Sequence, residues 1–132
     1  MTLAHLTGDA EASRKVERTL GRFGPRMGAA ARAVPFMISN LSAWHASISQ
    51  IVIVGPRDRE DTRALRRALA ARHLPFAIVI PVEPGEPQAR LARLLPWIAP
   101  MTMREDKATA YVCRDFACEQ PVTSVADLTA RL

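Results

Sequence analysis

The apolar positions along this chain change period once. Up to about residue 47 they recur at helical spacing. Ala12, Val16, Leu20 and Phe23 share one face of a helix, and Phe36, Met37, Leu41 and Trp44 share one side of another. Asp9, just after the Thr7-Gly8 break, is placed as an N-cap that accepts from the free backbone N–H groups of the next turn. Gly24-Pro25 predicts the end of the first of these helices, because proline has no N–H to donate and its ring clashes with the preceding turn. The second helix then starts at Met27 or Pro35 and runs through Trp44. Leu3 to Leu6 reads as the last turn of a still earlier helix. Such a turn is too short to nucleate alone, so the chain reads as beginning within a helix.

Near residue 49 the pattern shifts to short continuous apolar runs separated by amphipathic stretches. Gln50 to Gly55 is β-branched and apolar throughout, as expected of a strand buried on both faces. Pro56 to Asp61 forms the turn, with Asp58 as the expected N-cap and Asp61 three residues on. A helix follows over residues 62–72, with Ala64, Leu65, Ala68 and Leu69 inward and Arg63, Arg66 and Arg67 outward. Phe76 to Val82 predicts a second buried strand, and residues 88–97 a shorter helix striped by Leu91, Leu94 and Leu95. A third strand is predicted over Thr109 to Cys113, and Ser124 caps a final helix with Asp127 in its first turn. The expected fold is therefore α/β. A helical hairpin occupies residues 1–48. Residues 49–132 form a small three-stranded layer, with right-handed crossovers where strands are parallel, ending in a β-ribbon and a helix.

Composition adds little to that outline. The 132 residues are 48% hydrophobic and 23% charged, ordinary values for one globular domain, and only 5% aromatic, so the core rests on Leu, Val, Ile and Ala. The net charge of +5 comes almost wholly from arginine, 16 of the 18 basic residues. A basic excess is the footprint of nucleic-acid binding. Here the arginines lie on the polar sides of the predicted helices, without interleaved aromatic side chains on which bases stack, so a solvated face explains them better and nucleic acid is not the expected partner. No apolar run approaches the ~20 residues that span a bilayer. The N-terminus lacks the basic, apolar and small-residue order of a secretory signal. With two cysteines, these features point to a cytoplasmic protein with reduced thiols.

Candidate chemistry is sparse. If residues 114–117 form a four-residue hairpin loop, Cys113 and Cys118 face each other across the ribbon, at a Cα separation of ~4.5–5.5 Å that a disulfide accepts. They are either a pair of buried, reduced packing thiols, which a reducing compartment favours, or a redox pair. The spacing is not the C-x-x-C that lowers a thiol pKa at a helix N-terminus, and two sulfurs do not complete a zinc site. His5, His45 and His73 have no ligand spacing and no partnering carboxylate. Gly55-Pro56-Arg57-Asp58 joins a strand to a helix N-terminus, where phosphates bind in α/β folds. Pro56 removes a donor there and no further glycines follow, so the segment reads as an ordinary βα turn. Asp58, Glu60 and Asp61 at one helix start suit capping better than paired-carboxylate catalysis.

The run Thr109 to Cys113, then Phe116-Ala117-Cys118 and Pro121-Val122 before a last short helix, resembles the C-terminal end of the thioredoxin-domain-containing family of the spermatogenesis-associated protein twenty type. Leu3 to Asp9 resembles a helix junction late in that family's helical barrel, Ile51 to Gly55 the strand after it, and Leu94 to Trp97 a segment in the same order. The resemblance implies a parent with an N-terminal thioredoxin-like domain and an (α/α)₆ barrel similar to glycoside hydrolases and sugar epimerases, with residues 1–48 as the end of the barrel. It carries over no catalytic, cofactor or metal residue. The expectation is a non-catalytic structural and assembly segment. Its partners would be the missing barrel and thioredoxin-like parts, or another copy of itself through the helical faces that lack a partner. The alternatives are a small thiol–disulfide module using Cys113 and Cys118, or a basic nucleic-acid-binding module.

Overall fold

A computed structural model describes residues Met1–Leu132, which divide into two compact units, Met1–Ile48 and Ser49–Leu132.

The first unit is helical: α1 (Thr2–Thr7), α2 (Ala10–Ala29), a 3-10 turn over Ala31–Ala33, and α3 (Pro35–Ala46). Asp9 caps α2 as expected, accepting from Glu11 N at 2.8 Å and Ala12 N at 3.0 Å. These bonds, from Ala12 first and Glu11 second, hold its carboxyl below the usual carboxylate range. The predicted stop at Gly24-Pro25 is wrong. Pro25 sits inside α2, which continues to Ala29. The periodic stripe runs on past it to Met27, which is buried. Burying such a side chain contributes about 1.5–3 kcal/mol, comparable to the ~3 kcal/mol cost of an interior proline. In α3 no residue is fully buried, and Phe36, assigned to its inward side, is 81% exposed.

The second unit is a four-stranded mixed sheet with helices, an α/β fold. Its order is β2-β1-β3-β4, with β1 (Ser49–Val54), β2 (Ala77–Val82), β3 (Thr109–Arg114) and β4 (Ala117–Cys118). β1 runs parallel to β2 through a crossover containing α4 (Glu60–Ala70), and antiparallel to β3. α5 (Glu86–Leu94), a 3-10 turn over Pro96–Ile98 and α6 (Val125–Ala130) complete it. β1 is central and buried on both faces, as its composition requires. β2 has the same apolar composition but lies at the sheet edge. Val79 and Pro81 are exposed while Ile80 and Val82 are buried, which corrects the expectation of a second doubly buried strand. Pro81 suits an edge, where its missing N–H interrupts no ladder.

One face of the sheet, Ile51 and Ile53 of β1 with Ala110 and Val112 of β3, packs with Leu65 and Leu69 of α4 and Leu128 of α6 in a single buried cluster. On the opposite face Tyr111 donates to Thr102 O at 2.7 Å and accepts from Thr102 N at 3.0 Å, holding the incoming chain there. Ser124 caps α6 as predicted, accepting from Asp127 N at 3.1 Å.

Candidate functional site

Where β1 and β2 end at their carboxyl termini, the two parallel strands and the helices after them enclose a cleft of about 260 Å³. This is the region outside the strand ends where ligands settle in open α/β sheets. Its walls include Gly55, Arg57, Thr62, Arg66, Glu83 and Gln88. Gln88 is held by two bonds from Nε2, to Met101 O at 2.7 Å and Ile98 O at 3.3 Å. Gly55 is required by crowding: a Cβ there would lie 2.4 Å from Thr62 Oγ1 and 3.0 Å from Ala108 Cβ. Thr62 is only 3% exposed, and its Oγ1 has no hydrogen-bond partner. A buried, unpaired hydroxyl costs about 1–3 kcal/mol.

α4 starts differently from the expectation. Its N-cap is Arg59, which provides no side-chain cap, so Asp58 does not serve. Asp61 instead ties the helix start to a distant strand. Its carboxylate accepts from Ala108 N at 2.9 Å and Thr62 N at 2.9 Å, and pairs with Arg59 at 2.8 Å. Partial burial raises the Asp61 pKa, but the bonds from Ala108, Arg59 and Thr62 outweigh it and hold the carboxyl below its ordinary value. Arg59 in turn is held above the usual guanidinium value, chiefly by its bond to Asp61. It also donates to Asp106 O at 2.7 Å, in a tight turn where Glu105 and Asp106 both have positive φ. Glu60 pairs with Arg63 and Arg67 on the outer side of α4.

Cys113 and Cys118 are directly opposed in the β3–β4 ladder and joined as a disulfide. Of the expected two buried, reduced thiols, Cys113 is fully buried as expected, whereas Cys118 is exposed and the pair is bonded. The loop between the strands is also shorter than predicted. Only Asp115 and Phe116 form it, with φ of 49° and 63°, the signature of a two-residue type I′ turn. Its twist matches that of the strands, so no four-residue loop is needed. Phe116 meets Trp97 edge-on, with ring centroids 5.5 Å apart. No three of the His, Cys, Asp and Glu side chains come together as a metal-ligand group. Neither the histidines nor the cysteines line the cleft.

No protein-family model matches the chain, and no solved structure matches it. Curated relatives do match. Spermatogenesis-associated protein 20 of Homo sapiens is 35% identical over 128 residues, covering 97% of this chain. The Rattus norvegicus and Mus musculus proteins of that name are 33% and 32% identical over the same span. The chain belongs to the spermatogenesis-associated protein 20 family. It corresponds to a C-terminal segment of that family and spans only 16% of the length of these relatives.

Of the cleft residues, the sequence reading set aside Gly55 and Arg57 as an ordinary βα turn, placed Arg66 outward, and passed over Thr62 and Gln88. A usable signal was there: Thr62, Leu65 and Leu69 recur on one helical face, placing a hydroxyl on the buried stripe directly after a glycine turn.

Proposed function

We propose that this chain is a non-catalytic structural and assembly segment of a larger spermatogenesis-associated protein 20 family member. The observation that carries the reading is the match over 97% of this chain but 16% of its relatives. The apolar surface of the first unit supports it. Leu3 is 67% and Phe36 81% exposed, and an apolar groove lies between α2 and α3, lined by Val16, Leu20, Phe36 and Met37. Exposed apolar surface of this kind marks a place where another surface docks. In this reading the occupant is the remainder of the parent, which by resemblance comprises a thioredoxin-like domain and a carbohydrate-enzyme-like (α/α)₆ barrel, or a second copy of the chain. Light scattering of the isolated chain after size-exclusion chromatography tests it. Self-association, or strong binding of an apolar dye, is expected. A well-behaved monomer that binds no dye would sink the assembly reading.

A thiol–disulfide module is the second reading, favoured by the opposed, bonded Cys113 and Cys118 with Cys118 open to solvent. It requires that the bond open and close at the redox poise of the compartment. Thiol counting across a glutathione redox series decides it: a pair that stays in one state throughout is structural. The basic-module alternative has less support, because Arg59, Arg63 and Arg67 are engaged with carboxylates.

A further inference from the structure

We propose that Cys118 is a site of reversible modification by a small thiol of the glutathione class, which opens the Cys113–Cys118 bond there and releases the strained turn that the bond closes. Cys113 is the buried thiol that re-forms the bond. This assignment rests on the thiol–disulfide reading above and gives the two sulfurs different roles. Its ground is an asymmetry of access. Cys113 lies on β3, between β1 and β4, and has no exposed surface. Cys118 lies directly opposite on β4, the edge strand, and is an exposed residue. Exchange proceeds by attack of a thiolate on one sulfur of the bond, and access decides which. In the folded chain an incoming thiolate therefore has a route to the bond only from the Cys118 side.

The thiolate sulfur bonds to Cys118 Sγ as the Cys113–Cys118 bond breaks. The electron pair of that bond leaves on Cys113 Sγ, which takes a proton from water. The product is a mixed disulfide at Cys118 and a free thiol at Cys113. In reverse, the Cys113 thiolate attacks Cys118 Sγ and expels the small thiolate. A second small thiolate can instead take the outer sulfur, which leaves both cysteines reduced and the two small thiols oxidised to their disulfide. The turn favours opening. Asp115 and Phe116 are its two central residues, with φ of 49° and 63°. Left-handed backbone is unfavourable for any residue with a Cβ. A bulky ring at the second position makes Phe116 an outlier where glycine is the usual choice. β4 is only two residues long, so little of the ladder holds the turn once the sulfurs part. The edge-on contact of Phe116 with Trp97 is the other restraint on it. Disulfides that are strained or exposed are the ones that exchange readily.

The test incubates the full oxidised chain in glutathione buffers of stepped ratio, without denaturant. Reaction is stopped with acid, free thiols are alkylated at acid pH, and each cysteine is mapped by mass spectrometry. Tryptic cleavage after Arg114 separates the two. The expected intermediate carries glutathione on Cys118 and the alkyl label on Cys113, in about tenfold or greater excess over the opposite isomer. Equal amounts of the two isomers, which reduction through global unfolding would give, overturn the proposal and leave the thiol–disulfide reading standing. Glutathione found mainly on Cys113 does the same. A pair that stays closed at every ratio sinks both. Two variants isolate the turn. Phe116→Gly and Phe116→Ala both lose the ring contact with Trp97, but only glycine adopts the left-handed conformation freely. Half-opening of the glycine variant should need a ratio of squared glutathione to glutathione disulfide about fivefold higher than the alanine variant. Equal midpoints would show that no strained turn is released, and would overturn the proposal.

Discussion

Removing the Asp61 carboxylate should cost this small α/β unit a large share of its stability. In Asp61→Ala the backbone N–H of Ala108, a residue with no solvent exposure, loses its acceptor. An orphaned buried donor costs about 1–3 kcal/mol. The ion pair with Arg59 adds little to this, since both side chains are about one-third exposed, at 36% and 30%, and solvent screens the pair. Arg59 also keeps its bond to Asp106 O. The expected loss is therefore about 1–3 kcal/mol, which for a unit of this size lowers the melting temperature by roughly 4–8 °C per kcal/mol. Asp61→Asn, which keeps one acceptor oxygen, should lose less. Denaturant unfolding gives the total, and amide exchange at Ala108 localises it. The pH dependence follows from the lowered folded-state pKa. The carboxylate's contribution is complete above the unfolded value of about 4 and is lost as pH falls through the lower folded value. Wild type and Asp61→Asn should thus differ by a constant amount from neutral pH down to about 4 and converge below it. A loss under about 0.5 kcal/mol in Asp61→Ala would refute the reasoning, as would a wild-type advantage that grows on acidification.

Gly55→Ala should destabilise by about 1–3 kcal/mol through the clash with Thr62 Oγ1, and adding Thr62→Ala should recover part of it. Strict additivity in a double-mutant denaturation cycle would show that the clash is not the cause. Reducing Cys113–Cys118, or replacing both with alanine, should cost about 2 kcal/mol, the chain-entropy value for so short a loop. Unfolding with and without reductant measures it. Leu128→Ala should cost about 2–5 kcal/mol, because this fully buried side chain is what docks α6 in the core. Ser124→Ala, which removes only the cap of that helix, should cost about 1 kcal/mol. Thermal melts rank the two, and a reversed order would contradict the packing described for α6.

Features set within one or two helical turns are legible in the amino-acid sequence by itself. Asp9 and Ser124 cap the helices they precede because the donors they satisfy are two or three residues away. The stripes of α2 and α4, the three main strands and the opposition of Cys113 to Cys118 follow from periods of 3.6 and 2. The α/β class follows from the order of these elements.

The tertiary structure decided what depends on neighbours distant in sequence. β1 and β2 have the same apolar composition, yet only β1 has strands on both sides, so β2 became the edge that tolerates Pro81. Pro25 has the character of a helix end, and burial of Met27 carried α2 through it. Asp61 reads as a local cap, yet its partner at Ala108 N is 47 residues away. Thr62 and Arg66 became walls of one cleft only when the ends of β1 and β2 were brought side by side. The pattern of side chains along one segment is enough to specify a cap or a helical face. An edge strand, a buried hydroxyl without a partner or a cleft is a property of several segments together, and their arrangement is set by how the whole chain packs.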